Sequence, residues 1–159
     1  MTILSSDTIN RLCIITPFCK KTRFQGVSYG ASSAGYDIRI ANKVVLEKGY
    51  TTLAVSLEHF EMPNNVIGIV HDKSTWARLG IQVQNTVIEP GWHGYLTLEI
   101  TYMPVRMELP LVETIYKIQE GVGIAQVIFR YVDGYTKGYE GKYQFASNKP
   151  QEAIFDAAK

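Results

Sequence analysis

From Tyr36 onward the chain reads as short runs of alternating or β-branched residues, at 36–40, 43–46, 51–57, 66–70, 81–83, 86–88, 95–101, 111–118 and 124–131. Gly, Pro or Asn separates nearly all of them, the punctuation of strands joined by turns. Residues 5–12 (Ser-Ser-Asp-Thr-Ile-Asn-Arg-Leu) predict a short helix with a Ser or Asp cap. Residues 16–34, rich in Pro, Gly, Ser and Lys, read as irregular, with Lys20, Lys21 and Arg23 in a solvated loop. The alternation also fails at 73–79, where Ser74 is placed to cap one helical turn. No repeat or linker interrupts the pattern. Many short strands in one chain predict an all-β sandwich, jelly roll or distorted barrel over 1–144. Residues 145–159, mostly polar and small, read as a mobile tail able to order on a partner.

Composition narrows the class. At 159 residues the chain fits one domain with a core that needs neither disulfides nor metal. A hydrophobic share of 46% against 19% charged excludes wholesale disorder. The net charge of +1 gives no global field toward nucleic acid or an anionic membrane, so neither is an expected partner. Any phosphate recognition must come from local groups. Apolar runs fall far short of the ~20 residues of a membrane span, and the start Met-Thr-Ile-Leu-Ser-Ser-Asp lacks signal-peptide features. A cytoplasmic location is expected. Cys13 and Cys19 have no histidine nearby, since His59, His71 and His93 are scattered, so they read as reduced thiols and no protein metal site is expected.

Chemistry concentrates in residues 73–99. In Lys73-Ser74-Thr75-Trp76-Ala77-Arg78, Ser74 and Arg78 lie four apart and share a helical face. A helix start there leaves backbone N–H groups free for an anion. The Arg78 guanidinium forks two hydrogen bonds to a phosphate or a base carbonyl. The plain alternative is a capped surface turn with its Arg in solvent. Glu89-Pro90-Gly91-Trp92-His93-Gly94 must be a tight turn, which sets Glu89 beside Trp92. Glu89 would accept a sugar hydroxyl and Trp92 would offer a flat face for deoxyribose, although a Trp in a turn also plugs cores. In Tyr95-Leu96-Thr97-Leu98-Glu99-Ile100-Thr101 the leucines and Ile100 face one side, and Tyr95, Thr97, Glu99 and Thr101 the other. Such a polar face is ordinarily solvated. Mid-strand glutamate is disfavoured, however, and the strand follows directly on the Glu89–Gly94 turn. A glutamate partly desolvated there gains a raised pKa and can act as base and then acid. Two weaker signals are Gln126, a lone polar residue entering an apolar strand, and Tyr139-Glu140-Gly141-Lys142-Tyr143-Gln144, a candidate flap over a triphosphate.

These blocks resemble, in order, the dCTP deaminase family of the dUTPase-like superfamily. The match runs from Tyr29-Gly30-Ala31-Ser32-Ser33-Ala34-Gly35-Tyr36-Asp37-Ile38-Arg39 through Lys73–Gly80 and Glu89–Glu99 to Ala125-Gln126 and Gly141-Lys142-Tyr143-Gln144. The resemblance implies a dUTPase-like distorted β-barrel or jelly roll and a homotrimer with interfacial nucleotide sites. It implies Glu99, Ser74 and Arg78 as the catalytic set, with Glu99 activating water for attack on cytosine carbon 4. Lys73, Thr75, Tyr139, Lys142 and Gln144 would hold the triphosphate, Glu89 the sugar, and Trp92, Thr97 and Gln126 the rest of the nucleotide. Mg2+ would ride on the triphosphate. The His-x-Glu and Pro-Cys-x-x-Cys pattern of zinc deaminases is missing, so a deaminase of this sequence is expected to work without metal at the base. The chain departs from the family in a missing excursion between Arg39 and Val66, in Phe145-Ala146-Ser147-Asn148 after the flap, and in Thr101-Tyr102-Met103-Pro104 after Glu99.

The leading expectation is therefore hydrolysis of dCTP to dUTP and ammonia. The alternative is dUTP diphosphatase activity, alone or combined with deamination. Glu89 is one methylene longer than the aspartate that orients water in dUTPases, which disfavours it. A third expectation is a silent trimer that binds nucleotide or a partner protein.

Overall fold

A computed structural model describes residues 2–104 and 114–155. Its elements are α1 (Ser6–Arg11), β1 (Ile15–Thr16), β2 (Thr22–Phe24), β3 (Val27–Ala31), β4 (Tyr36–Arg39), β5 (Val44–Glu47), β6 (Thr51–Glu61), β7 (Val66–Asp72), α2 (Ser74–Ala77), β8 (Ile81–Val83), β9 (Val87–Ile88), β10 (His93–Tyr102), β11 (Ile115–Ile118) and β12 (Gly123–Tyr131). The all-β expectation stands, with two short helices among the described residues. One sheet runs β1-β6-β10-β8, a second β2-β3-β4-β12-β7-β9, and β11 pairs with β5. The two large sheets share one core, where Phe60 of the first lies 6.5 Å from Phe129 of the second, ring centre to ring centre.

Local chemistry explains where the pattern was read well and where it was not. Ser5 caps α1, its hydroxyl accepting from the Thr8 N–H. Residues 16–34 are not irregular throughout, since β2 and β3 form a hairpin there. Its two-residue turn uses Gln25 and Gly26 at φ 48° and 80°, the left-handed geometry that suits the twist of a hairpin. Glutamine carries no turn signal, and β2 is exposed along its whole length, so no alternation marks it. The strand read at 51–57 continues to Glu61, through two acidic positions that look like a break. The last strand but one is Ile115–Ile118, and residues 111–113 of its expected span lie outside the described residues.

Glu58 on β6 is fully buried, and its cost is met by one residue of the opposite sheet. Arg39 Nε donates to Oε1 at 2.7 Å and the Arg39 backbone N–H donates to Oε2 at 2.8 Å. The guanidinium also lies 4.6 Å above the Tyr29 ring. A charge-assisted pair of this kind pins β4 to β6.

Farther along β6, Ser56 repairs an irregularity in β10. The register between the two strands shifts between Tyr95 and Thr97. The Leu96 N–H, which loses its ladder partner at such a bulge, donates to Ser56 Oγ at 2.9 Å. The bulge falls just before Thr97 and Glu99 and so sets how they are aimed.

Arg39→Met would strand a buried carboxylate and should cost about 3–5 kcal/mol in denaturant unfolding. A loss under about 1 kcal/mol, the range of exposed pairs, would show that the pair does not join the sheets.

Candidate active site

β10 carries the site because its even positions are committed to the core. Leu96, Leu98 and Ile100 are buried, so Tyr95, Thr97 and Glu99 must face the other way. What they face is a cavity of about 470 Å³. That volume lies within the range of about 300–1,000 Å³ that holds small molecules. Leu53 of β6 and Val87 and Ile88 of β9 supply its apolar wall, and Glu89 and Trp92 come from the turn ahead of β10.

Glu99 is half-buried against this wall. Its Oε2 is shielded from water and has no hydrogen-bond partner. Burial pushes its carboxyl above the usual glutamate range, opposed by its own backbone N–H. An orphaned buried acceptor is costly and calls for a physical reason.

The chain after residue 138 closes the cavity. Tyr139, Tyr143 and Ala146 line it, followed by Gln151, Glu152 and Ala153. The segment after Gln144, expected as a mobile tail, is described as far as Phe155 and bonds to β10 at Phe145, Ala146 and Gln151. The Phe145 N–H donates to the His93 carbonyl at 2.8 Å and the Tyr95 N–H to the Ala146 carbonyl at 3.0 Å. The Gln151 N–H reaches Thr97 Oγ1 at 3.1 Å. Gly94 permits this crossing: it sits at φ +147°, and a Cβ there would come within 2.7 Å of the Ala146 nitrogen.

Several expected residues thus gather around one cavity: Glu99, Thr97, Glu89, Trp92 and Tyr139. Trp92 is both wall and plug, being 7% exposed with its indole N–H on the Tyr143 carbonyl at 2.7 Å. Gln144 is employed inside the chain. Its Oε1 accepts from the His93 N–H, and its Nε2 donates to the Gly91 and Tyr139 carbonyls. The Lys142 ammonium donates to the Ile154 carbonyl beside the same segment.

Others lie elsewhere. Ser74, Thr75 and Arg78 are exposed around α2 and do not line the cavity of their own chain. Ser74 does not cap that turn either. Lys73 holds the cap position, without a side-chain cap bond, and Ser74 is the first helical residue. The Lys73 ammonium is committed inside the fold, 2.5 Å from Asp37 Oδ2. Gln126 braces the loop before β4, its Nε2 donating to Ser32 Oγ at 3.0 Å and the Ala34 carbonyl at 2.9 Å. Among the described residues no Lys or Arg lines the cavity, while three carboxylates do, at Glu89, Glu99 and Glu152. Among the described residues no three His, Cys, Asp or Glu side chains gather as a metal ligand set. Gln151 and Glu152 were not anticipated, because nothing in a polar terminal segment signals where it returns.

Comparison with known proteins places the chain in a family. Residues 32–132 match the family model described as dCTP deaminase-like. The chain is 38% identical to the dCTP deaminase of Protochlamydia amoebophila, with 81% of this chain and 85% of that one covered. It is 35% identical to that of Helicobacter hepaticus, over 89% and 93%. Among solved structures, the dCTP deaminase of Agrobacterium tumefaciens superposes with a TM-score of 0.64 at 18% identity, over 82% of this chain and 48% of that one. The EIAV dUTPase superposes with a TM-score of 0.52 at 19% identity, over 70% and 86%. These last two likenesses carry the dUTPase-like fold. By sequence, the chain belongs to the dCTP deaminase-like family.

Proposed function

We propose that this protein hydrolyses dCTP to dUTP and ammonia, with Glu99 moving the protons. The observation that carries the reading is the Glu99 carboxyl, partly desolvated and with one oxygen unpartnered at the wall of a nucleoside-sized cavity. As water adds to carbon 4 of the cytosine ring, ionised Glu99 takes its proton. Glu99 then returns a proton as the amine departs, so that dCTP and water become dUTP and ammonia. One group does both when its proton affinity lies nearer the working pH than that of an exposed glutamate, and burial moves Glu99 in that direction. Such proton transfer is worth about 10²–10⁴ in rate. Thr97 and Tyr95 border the base, and Glu89 and Trp92 the deoxyribose.

A triphosphate is a poor guest for a cavity whose described lining carries three carboxylates and no cation. We therefore assign its partners to the exposed Ser74, Thr75 and Arg78 of a second copy in a homotrimer, with Lys142 at the rim. Exposed Leu53 and Val87 beside the cavity mouth, 36% and 49% accessible, offer an apolar seam for that copy. Mg2+ enters as part of the substrate, on the phosphates, which suits an ion that is ordinarily held by phosphates and few carboxylates. This assignment puts the enzyme in the cytoplasm with its nucleotides.

Incubation with Mg-dCTP should release ammonia, and incubation with Mg-dUTP no pyrophosphate. Pyrophosphate from dUTP without ammonia from dCTP would replace deamination by the diphosphatase, and neither product would leave a binding protein. Glu99→Gln should lower ammonia release by about 10²–10⁴ while nucleotide still binds. Unchanged turnover would remove Glu99 from the mechanism.

The raised pKa has a sign that can be read twice. As pH falls through it, Glu99 gains a proton and the base is lost, so kcat should fall on the acid side above the range of an ordinary glutamate. Because folding favours the protonated form, wild-type stability should drop as pH rises through the same window. Glu99→Gln lacks this penalty, so its thermal midpoint should match wild type in acid and exceed it at neutral pH. A variant that is less stable than wild type at neutral pH would contradict the desolvated carboxylate.

Shared sites are tested by mixing. Glu99→Gln and Arg78→Ala chains, each inactive alone, should regain part of wild-type turnover after co-refolding. No recovery would place both groups within one chain's site.

A further inference from the structure

β6 and β10 form one ladder except beside Leu96. Tyr95 pairs with His59 and Thr97 with Val55, so Leu96 alone stands opposite Ser56, Leu57 and Glu58. Around those residues β6 turns to the opposite sheet instead. Ile40 bridges to Ser56, the Ala41 N–H donates to the Val55 carbonyl at 2.9 Å, and Arg39 holds the Glu58 carboxylate. The ladder is therefore broken beside Tyr95, Leu96 and Thr97, all three of which line the cavity.

One side chain spans the break. Ser56 is fully buried, and its hydroxyl both donates and accepts. It donates to the Glu58 carbonyl on its own strand at 2.7 Å and accepts the Leu96 N–H of β10 at 2.9 Å. Past the break the ladder resumes, with Thr97 on Val55, Leu98 on Ala54 and Glu99 on Leu53. On the other edge of β10, β8 pairs from Ile100 to Tyr102, and the Gln84 N–H reaches the Glu99 carbonyl at 3.0 Å. Between Leu96 and Leu98 that edge has no ladder among the described residues. The stretch that aims Thr97 and Glu99 is thus held chiefly from β6, and the Ser56 hydroxyl is where that hold begins.

We infer that Ser56 is a positioning residue for Glu99: its hydroxyl closes the break between β6 and β10 and so fixes where the carboxyl sits in the cavity. Through Glu58 and Arg39 the opposite sheet braces the same point. The activity arms of this inference rest on the deamination proposed above, and its exchange arm does not.

The test uses the full-length chain with Ser56→Ala, with Ser56→Thr, and with Ser56→Ala combined with Glu99→Gln. In Ser56→Ala the Leu96 amide should exchange at least about tenfold faster, with 66–72 of β7 unaffected. Its kcat for Mg-dCTP should fall roughly ten- to a hundredfold with KM within about threefold. Ser56→Thr keeps the hydroxyl and should restore both protection and kcat. Because Ser56 acts through Glu99, adding Ser56→Ala to Glu99→Gln should lower the residual turnover by less than about twofold. A hydroxyl that only stabilises the fold would leave kcat and KM of folded Ser56→Ala at wild-type values, and that result would overturn the inference. So would a fully additive loss in the double variant, a Ser56→Thr protein no better than Ser56→Ala, or unchanged exchange at Leu96. If Ser56→Ala does not fold, Ser56→Cys takes its place with the same expected and contrary results, since a thiol is a weaker donor and acceptor. A wild-type protein that releases no ammonia, while Leu96 loses protection in Ser56→Ala, would sink the deaminase reading and leave the brace on β10 standing.

Discussion

An acidic oxygen held out of water without a partner is the constraint around which this site is organised. Glu99 owes that position to β10, whose leucines and Ile100 are locked into the core and leave its odd positions one direction to face. Slipping β10 by one residue would put Glu99 in the core and Leu98 in the cavity, so the register is defended by the whole hydrophobic set. The bulge at Tyr95–Thr97 and the Ser56 hydroxyl that repairs it adjust the aim within that register. Holding a carboxyl this way lowers stability, and a fold accepts such costs where a ligand is to be met.

The polar groups divide into two populations on different surfaces. The cavity is apolar and acidic, suited to a neutral base and a sugar hydroxyl. The exposed cation Arg78 sits with Ser74 on α2, outside it. In the proposed trimer these halves meet across subunits, so one chain would bind the nucleoside and a neighbour its charge. The closing segment adds a third element. Its backbone engages Thr97, Tyr95 and His93, so main-chain bonds hold it against the strand that carries Glu99.

Much of this was legible in the sequence where a single face is buried. The alternation of β10, the tight Glu89–Gly94 turn and the helical interruption after Lys73 all came from local pattern, and all stand. The hairpin of β2 and β3 did not, because an exposed strand has no apolar face to betray it and Gln25-Gly26 is an unmarked turn. The end of β6 was hidden because Glu58 looks like a break until Arg39 of another strand is placed beside it. The same limit hid the internal partners of Lys73, Gln126 and Gln144, which come from positions 36, 94 and 51 residues away in the chain. Partners at that separation are decided by topology, which no local window contains.

The central claim is that Glu99 meets the reacting edge of a pyrimidine. A crystal structure of the Glu99→Gln protein with Mg-dCTP tests it most directly. The account predicts the ring in the cavity, with carbon 4 and its amino group beside the residue-99 side chain and a water between them. A base bound elsewhere, or one whose amino edge points away from residue 99, would contradict it.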